Sequence, residues 1–183
     1  MSLKYAILGF LTIEPMSGYT LKSGYFDTSI AHFWPADQAQ IYRTLYQLES
    51  DGWVESELEP QATKPDRKQY KITDLGMAEL HNWLAESRPM PVQRFPLLVQ
   101  LYFCRHLSRD ELLALLRDQQ RQHQARLAEL QAINLEPPDD EVMAQQMMFG
   151  GFTLDFGRRY EQMQLEWLEA VITQILQKQN IWS

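Results

Sequence analysis

One change of hydrophobic rhythm constrains this chain more than any other feature. Apolar residues first fall three and four apart, at Ile41, Leu45 and Leu48, and beyond Gly52 they alternate with polar ones as far as Ile72. A period near 3.6 specifies a helix with one buried face and a period of two a half-buried strand, so the chain must pass from helix to strand at the glycine. Glycine commonly supplies the left-handed residue after a helix C-terminus. Asp37 with Gln40 three residues later reads as a capping box opening that helix, and Pro35 holds Trp34 extended before it. A hairpin centred on Thr63 sets Val54 opposite Ile72 on one face, and Glu55 opposite Lys71 and Glu59 opposite Arg67 on the other. Hydrophobic register and charge then agree.

Two short helices precede this segment. Leu3, Ile7, Leu8 and Leu11 share one helical face that Pro15 ends, and Ser17 caps a second helix predicted to run through Phe26. Three helices followed by a hairpin is the order of a winged helix-turn-helix, which predicts DNA binding. Thr73 caps a fourth helix with Leu75, Ala78, Leu80, Trp83 and Leu84 as apolar positions, and Arg88-Pro89-Met90-Pro91 breaks the pattern. The expected division is a winged helix-turn-helix domain over residues 1–87 and a helical domain over 88–183.

The second half is predicted to be helical and built for association. Ser108 with Glu111 forms a capping box before a helix reaching about Asn134, and Leu112, Leu116, Leu127 and Leu130 on it follow a roughly heptad spacing. After Pro137-Pro138, Phe149, Phe152, Phe156, Tyr160, Met163, Trp167 and Val171 recur at steps of three and four as a wide aromatic stripe that needs a partner surface. Gly150, Gly151 and Gly157 within it imply a break or close contact with a second helix. The fold class expected is mainly α: an α+β winged helix with a two-stranded wing, plus a C-terminal α-helical dimerisation domain.

Composition narrows the function. The formal charge is −7 over 183 residues, and residues 1–88 hold 8 Lys/Arg against 12 Asp/Glu. Polyanion affinity comes largely from counterions released by clustered cations, so any DNA contact must be local. A single cysteine, Cys104, permits no internal disulfide, and its apolar neighbours Leu101, Tyr102 and Phe103 raise rather than lower a thiol pKa. No nucleophile elbow, zinc-protease helix or phosphate-binding glycine loop is present, and His32, His81, His106 and His123 are scattered without ligand spacing. Asp139-Asp140-Glu141 reads as a helix N-terminus rather than a metal site. Neither an enzyme nor a cofactor is expected. With no signal peptide and no apolar run of spanning length, the expected location is the cytoplasm, away from the membrane. A helical protein–protein adaptor on a winged-helix scaffold stands as the alternative.

The chain resembles the PadR-like transcriptional regulators. The resemblance spans about residues 1–87 and rests on Met1 to Gly9, on Met16-Ser17-Gly18-Tyr19 with Leu21-Lys22, and on Phe33-Trp34-Pro35. It continues through Gln40-Ile41-Tyr42-Arg43 with Leu45, Leu48, Glu49 and Gly52, and Tyr70 with Ile72, Thr73 and Gly76. The C-terminal half is similar in length and helical layout to long-form members, the branch that includes virulence-activator-type proteins. The resemblance implies a homodimer with a winged helix at each end, held by the C-terminal helices and usually acting as a repressor. Its operator would be pseudo-palindromic double-stranded DNA.

Within that scheme the residues suggest roles. The outward face of the third helix carries Ala39, Gln40 and Arg43, suited to a thymine methyl, an adenine and a guanine or phosphate, although Gln40 is also the capping side chain. Tyr42 at the helix edge is the position the resemblance marks, and its hydroxyl suits phosphate. Ser17, Gly18 and Tyr19 stand at a helix start that attracts anions, with Lys22 one turn on. Arg67 and Lys71 are cross-strand partners of acidic residues, which leaves Lys64 and Lys68 as the wing contacts. Leu112, Leu116, Leu127, Phe149, Phe156, Tyr160, Met163 and Trp167 are the dimerisation candidates. Alternatively, Met148, Phe152, Phe156, Tyr160 and Trp167 line a pocket for a small aromatic or apolar effector.

Overall fold

The computed structural model describes residues 2–60, 67–135 and 141–178. Their order is α1 (Leu3–Leu11), α2 (Gly18–Leu21), α3 (Gln38–Ser50), β1 (Val54–Glu59), β2 (Arg67–Ile72), α4 (Asp74–Ala85), α5 (Pro96–Tyr102), α6 (Arg109–Ala132) and α7 (Glu141–Gln177). The chain divides into two compact units, Met1–Met90 and Pro91–Ser183.

In the first unit the change of rhythm does what its physics requires. Ile41, Leu45 and Leu48 are fully buried beside Ile7, Leu8, Leu21 and Phe26, each contributing about 1.5–3 kcal/mol of apolar burial. The capping box is formed in both directions: Gln40 N donates to Asp37 Oδ1 at 2.7 Å and Asp37 N to Gln40 Oε1 at 3.2 Å. Gly52 turns the chain with φ of 72°, beyond the reach of most side chains. The strands then pair antiparallel in the expected register, with Val54 against Ile72, Glu55 against Lys71 and Glu59 against Arg67. The wing tip, including Thr63 and Lys64, lies outside the described residues.

Two local expectations change. The second helix does not run on in α geometry: after Leu21 it widens to a π-helix over Lys22–Ser29. Residues five apart then lie one above the other, which is how Lys22 reaches Asp27. On α4 only Gly76 and Leu80 are buried, while Leu75 and Leu84 stay exposed.

The second unit is an antiparallel helical hairpin. Leu112, Leu113 and Leu116 of α6 close a core with Leu168 and Ile172 of α7, and α5 adds Leu97 and Leu101. This corrects the heptad reading. Leu112, Leu116 and Leu127 are 1%, 0% and 9% exposed within one protomer, so they already serve as intrachain core. Heptad spacing reports that a helix has a partner and is silent on whether that partner is another chain. Helix α7 passes through its glycines without a break. Each long helix is capped by an arginine from the other. Arg158 donates to the carbonyls of Leu130 and Ile133 at the end of α6, and Arg109 donates to those of Ile175 and Leu176 at the end of α7. Both satisfy orphan carbonyls with a cation where the helix dipole favours one. Pro137-Pro138, Asp139 and Asp140 lie outside the described residues.

Candidate nucleic-acid interface and ligand cavity

Burying Ile41, Leu45 and Leu48 turns Ala39, Arg43, Tyr46 and Gln47 outward, and all four are exposed. Helix α3 thus presents a polar ridge of the width a major groove accepts. Arg43 stands apart electrostatically. The neighbouring cations are engaged: Lys22 with Asp27, Lys68 with Glu49 at 2.8 Å, Lys71 with Glu55 at 4.0 Å and Arg88 with Glu86 at 2.6 Å. Lys4 lies 4.2 Å above the Trp53 ring, and Arg67 donates to the Thr20 hydroxyl across the unit. Among the described residues of this unit, Arg43 is the cation with no ion pair, hydrogen bond or ring partner. A guanidinium left free in an acidic protein is available to an external anion.

The other candidates separate by how they are held. Gln40 is half committed to its cap. Ser17 is 3% exposed and its Oγ accepts from Thr20 N at 3.1 Å, so its hydroxyl serves α2. Gly18 is buried beneath Tyr42: a Cβ there would sit 2.7 Å from Tyr42 Cε1, so the close fit of α2 on α3 requires glycine. That contact fixes the Tyr42 ring at the edge of the ridge, while Tyr19 is 62% exposed. Lys68 sits over the rings of Tyr46 and Tyr70 as well as beside Glu49. Hydrogen bonds from Lys68 and Ser56 hold the Glu49 carboxyl below the usual glutamate range, and the same bond raises the Lys68 ammonium. Desolvation raises the buried Tyr70 phenol.

In the C-terminal unit the aromatic stripe splits. Met148, Phe149, Phe152, Phe156 and Met163 of α7 are exposed, and Phe152 and Phe156 keep roughly two thirds of their surface open. Tyr160 and Trp167 are half-buried and join Met163 in a cavity of about 730 Å³. Its remaining apolar wall is Phe95, Pro96, Leu97 and Leu98, where α5 begins. Of the five residues expected to line a pocket, Tyr160 and Trp167 do so; Met148, Phe152 and Phe156 do not border it. The periodicity of α7 was legible, but the segment 93–100 carries no repeat that marks it as a wall. His123, dismissed for want of ligand spacing, lies in this cavity with Nδ1 2.5 Å from Glu161. The two are 38 residues apart and only the hairpin brings them together.

Among the described residues, no three His, Cys, Asp or Glu side chains gather as a metal would need, and no helix is long and apolar enough to cross a membrane.

A helix-turn-helix whose third helix offers an exposed polar ridge, followed by a two-stranded wing, defines the winged-helix class of transcription regulators. The chain matches the transcriptional regulator PadR-like family over residues 7–82 and the virulence activator alpha C-term family over residues 93–175. The negative transcriptional regulator PadR of Bacillus subtilis is 34% identical over 182 residues, covering 94% of this chain and 97% of that protein. The crystal structure of that PadR with operator DNA has a TM-score of 0.81 at 33% identity, over 96% of this chain and 99% of the other. Its complex with p-coumaric acid scores 0.75 at 32% identity with the same coverage. The chain belongs to the PadR-like family of transcriptional regulators.

Proposed function

We propose that this regulator is a cytoplasmic homodimeric repressor that reads a pseudo-palindromic operator and releases it on binding a small aromatic effector. Residues 1–87 form the reading domain, and residues 88–183 pair the two copies and hold the effector. The observation that carries this reading is the free Arg43 guanidinium on an exposed ridge. Arg43, Ala39 and the free end of Gln40 meet base edges, Tyr19 and Tyr42 donate to phosphates, and Lys64 and Lys68 follow the backbone from the wing. Ser17, Gly18 and Lys22 position that surface. The exposed Phe149, Phe152, Phe156 and Met163 are the face that a second copy covers.

The B. subtilis relative supports both ligands, having been crystallised with operator DNA and with p-coumaric acid. Two ridges on a paired stalk meet half-sites one helical turn apart, roughly 34–36 Å. An effector releases DNA only by preferring a conformation in which that spacing is wrong. Fluorescence anisotropy with the chain's own upstream region tests the proposal: binding saturates and weakens steeply with salt, whereas absence of saturable binding at low salt rejects it.

A further inference from the structure

We infer that the cavity of the C-terminal unit is a site for uncharged aromatic molecules bearing hydroxyl or amide groups, and that it discriminates against their carboxylate forms. The inference rests on the effector reading above and specifies the chemistry of that ligand.

The cavity has a drug-sized volume, about 730 Å³, and is half open to solvent, with an aromatic and aliphatic wall against which an aromatic ring can pack. Its polar lining is what selects. Gln93, Gln100, Gln119 and Gln164 contribute four amides, each offering donors and an acceptor, and Tyr160 adds a hydroxyl. Among the described residues, no lysine or arginine lines it. Most guanidiniums of the flanking helices are committed elsewhere: Arg121, Arg126 and Arg159 close ion pairs along their own helices, and Arg109 and Arg158 cap helix ends, while Arg117 of α6 is exposed and does not border the cavity. Arg94, between two lining residues in sequence, is exposed and stands outside the wall.

His123 is the remaining cation candidate, and its neighbour disqualifies it. The Glu161 carboxylate lies 2.5 Å from Nδ1, and the two side chains are 21% and 13% exposed. A protonated imidazole is neutralised by that carboxylate, and a neutral one leaves the carboxylate's negative charge beside the cavity. In neither state does the wall hold an unopposed positive charge. An anionic ligand would therefore lose its hydration without gaining a counter-charge, while an ester, amide or alcohol of the same shape would keep its hydrogen bonds. With Nδ1 bound to Glu161, Nε2 of neutral His123 accepts from a ligand hydroxyl. This separates the chain from its B. subtilis relative, whose p-coumaric acid is an anion at neutral pH.

The test uses the full-length protein and isothermal titration calorimetry with three probes that share one ring: p-coumaric acid, its methyl ester and its amide. The expected result at neutral pH is that ester and amide bind with Kd about tenfold or more below that of the acid. Two wall variants, Leu98→Trp and Gln164→Leu, should each weaken ester binding about tenfold with parent-like circular dichroism. Equal or tighter binding of the acid overturns the inference, as does no heat from ester or amide up to about 1 mM. Ester binding that ignores both folded wall variants also overturns it, because the site would lie elsewhere. The same ligands are added to the operator complex. Neutral probes that bind the cavity and leave DNA bound uphold the site and refute effector release, so the two claims fail separately.

Discussion

Within Met1–Met90 thirteen apolar side chains close into one core, whereas the main core of Pro91–Ser183 holds five, counted among the described residues. The first unit buries its stripe and leaves polar groups outward, with Arg43 free on α3. The second spends its α6 leucines inside the hairpin and leaves the phenylalanines of α7 in the open. A polar ridge with an unpaired guanidinium suits a hydrated polyanion; an aromatic face suits another protein surface. The contrast sets a unit whose apolar stripe is closed within the chain beside one that leaves an aromatic face open, and under the proposed function a second copy covers that face.

The largest effect should come from breaking the unmet face. Phe152→Asp with Phe156→Asp leaves the intrachain leucines in place, and light scattering should report single chains where the parent gives pairs. Operator affinity should fall about 100-fold or more, since the second half-site is no longer tethered. A double variant that stays paired would place the interface elsewhere on the unit.

Arg158→Met tests the hairpin itself. Removing a charged donor from the carbonyls of Leu130 and Ile133 should cost about 1.5–3 kcal/mol of stability, measured by chemical denaturation. If α7 owed its order to pairing alone, the loss would vanish within error. On the ridge, Arg43→Ala should lower operator affinity by about 1–3 kcal/mol in a titration while the particle stays paired. Parent-like binding would show that the free guanidinium reads nothing.

The smallest effect concerns the wing. Glu49 is held below the usual glutamate range by Lys68 and Ser56, so its contribution is present above the unfolded pKa and is lost as pH falls through the lower folded one. A partly exposed pair of this kind contributes under about 1 kcal/mol. Glu49→Gln should flatten that acid limb in thermal melts, and Lys68→Gln should make the salt dependence of DNA binding shallower by about one phosphate contact. An unchanged slope would mean that Lys68 does not reach the backbone.

Legibility followed how local the cause was. The capping boxes at Asp37 and Ser108, the left-handed Gly52 and the hairpin register are decided by residues a few positions apart, and each stands as read. The π-helix after Leu21 was missed because its widening has no period of its own. The α6 leucines were misassigned because helical spacing is the same whether the partner helix is in the same chain or another. The cavity wall at 93–100 and the meeting of His123 with Glu161 depend on the antiparallel return of α7, which no local pattern encodes. Lys68 was counted as a free wing cation because its bond to Glu49 joins the strand to α3 across 19 residues.

The central claim is that one ridge is presented twice at a spacing matched to the duplex. Anisotropy titration of the full chain on its upstream operator, with stoichiometry from light scattering, tests it most directly when repeated on a duplex with about half a helical turn inserted between the half-sites. Two chains per duplex on the intact operator, and loss of tight binding on the lengthened one, are the results expected. One chain per duplex, or equal affinity for both spacings, would contradict the account.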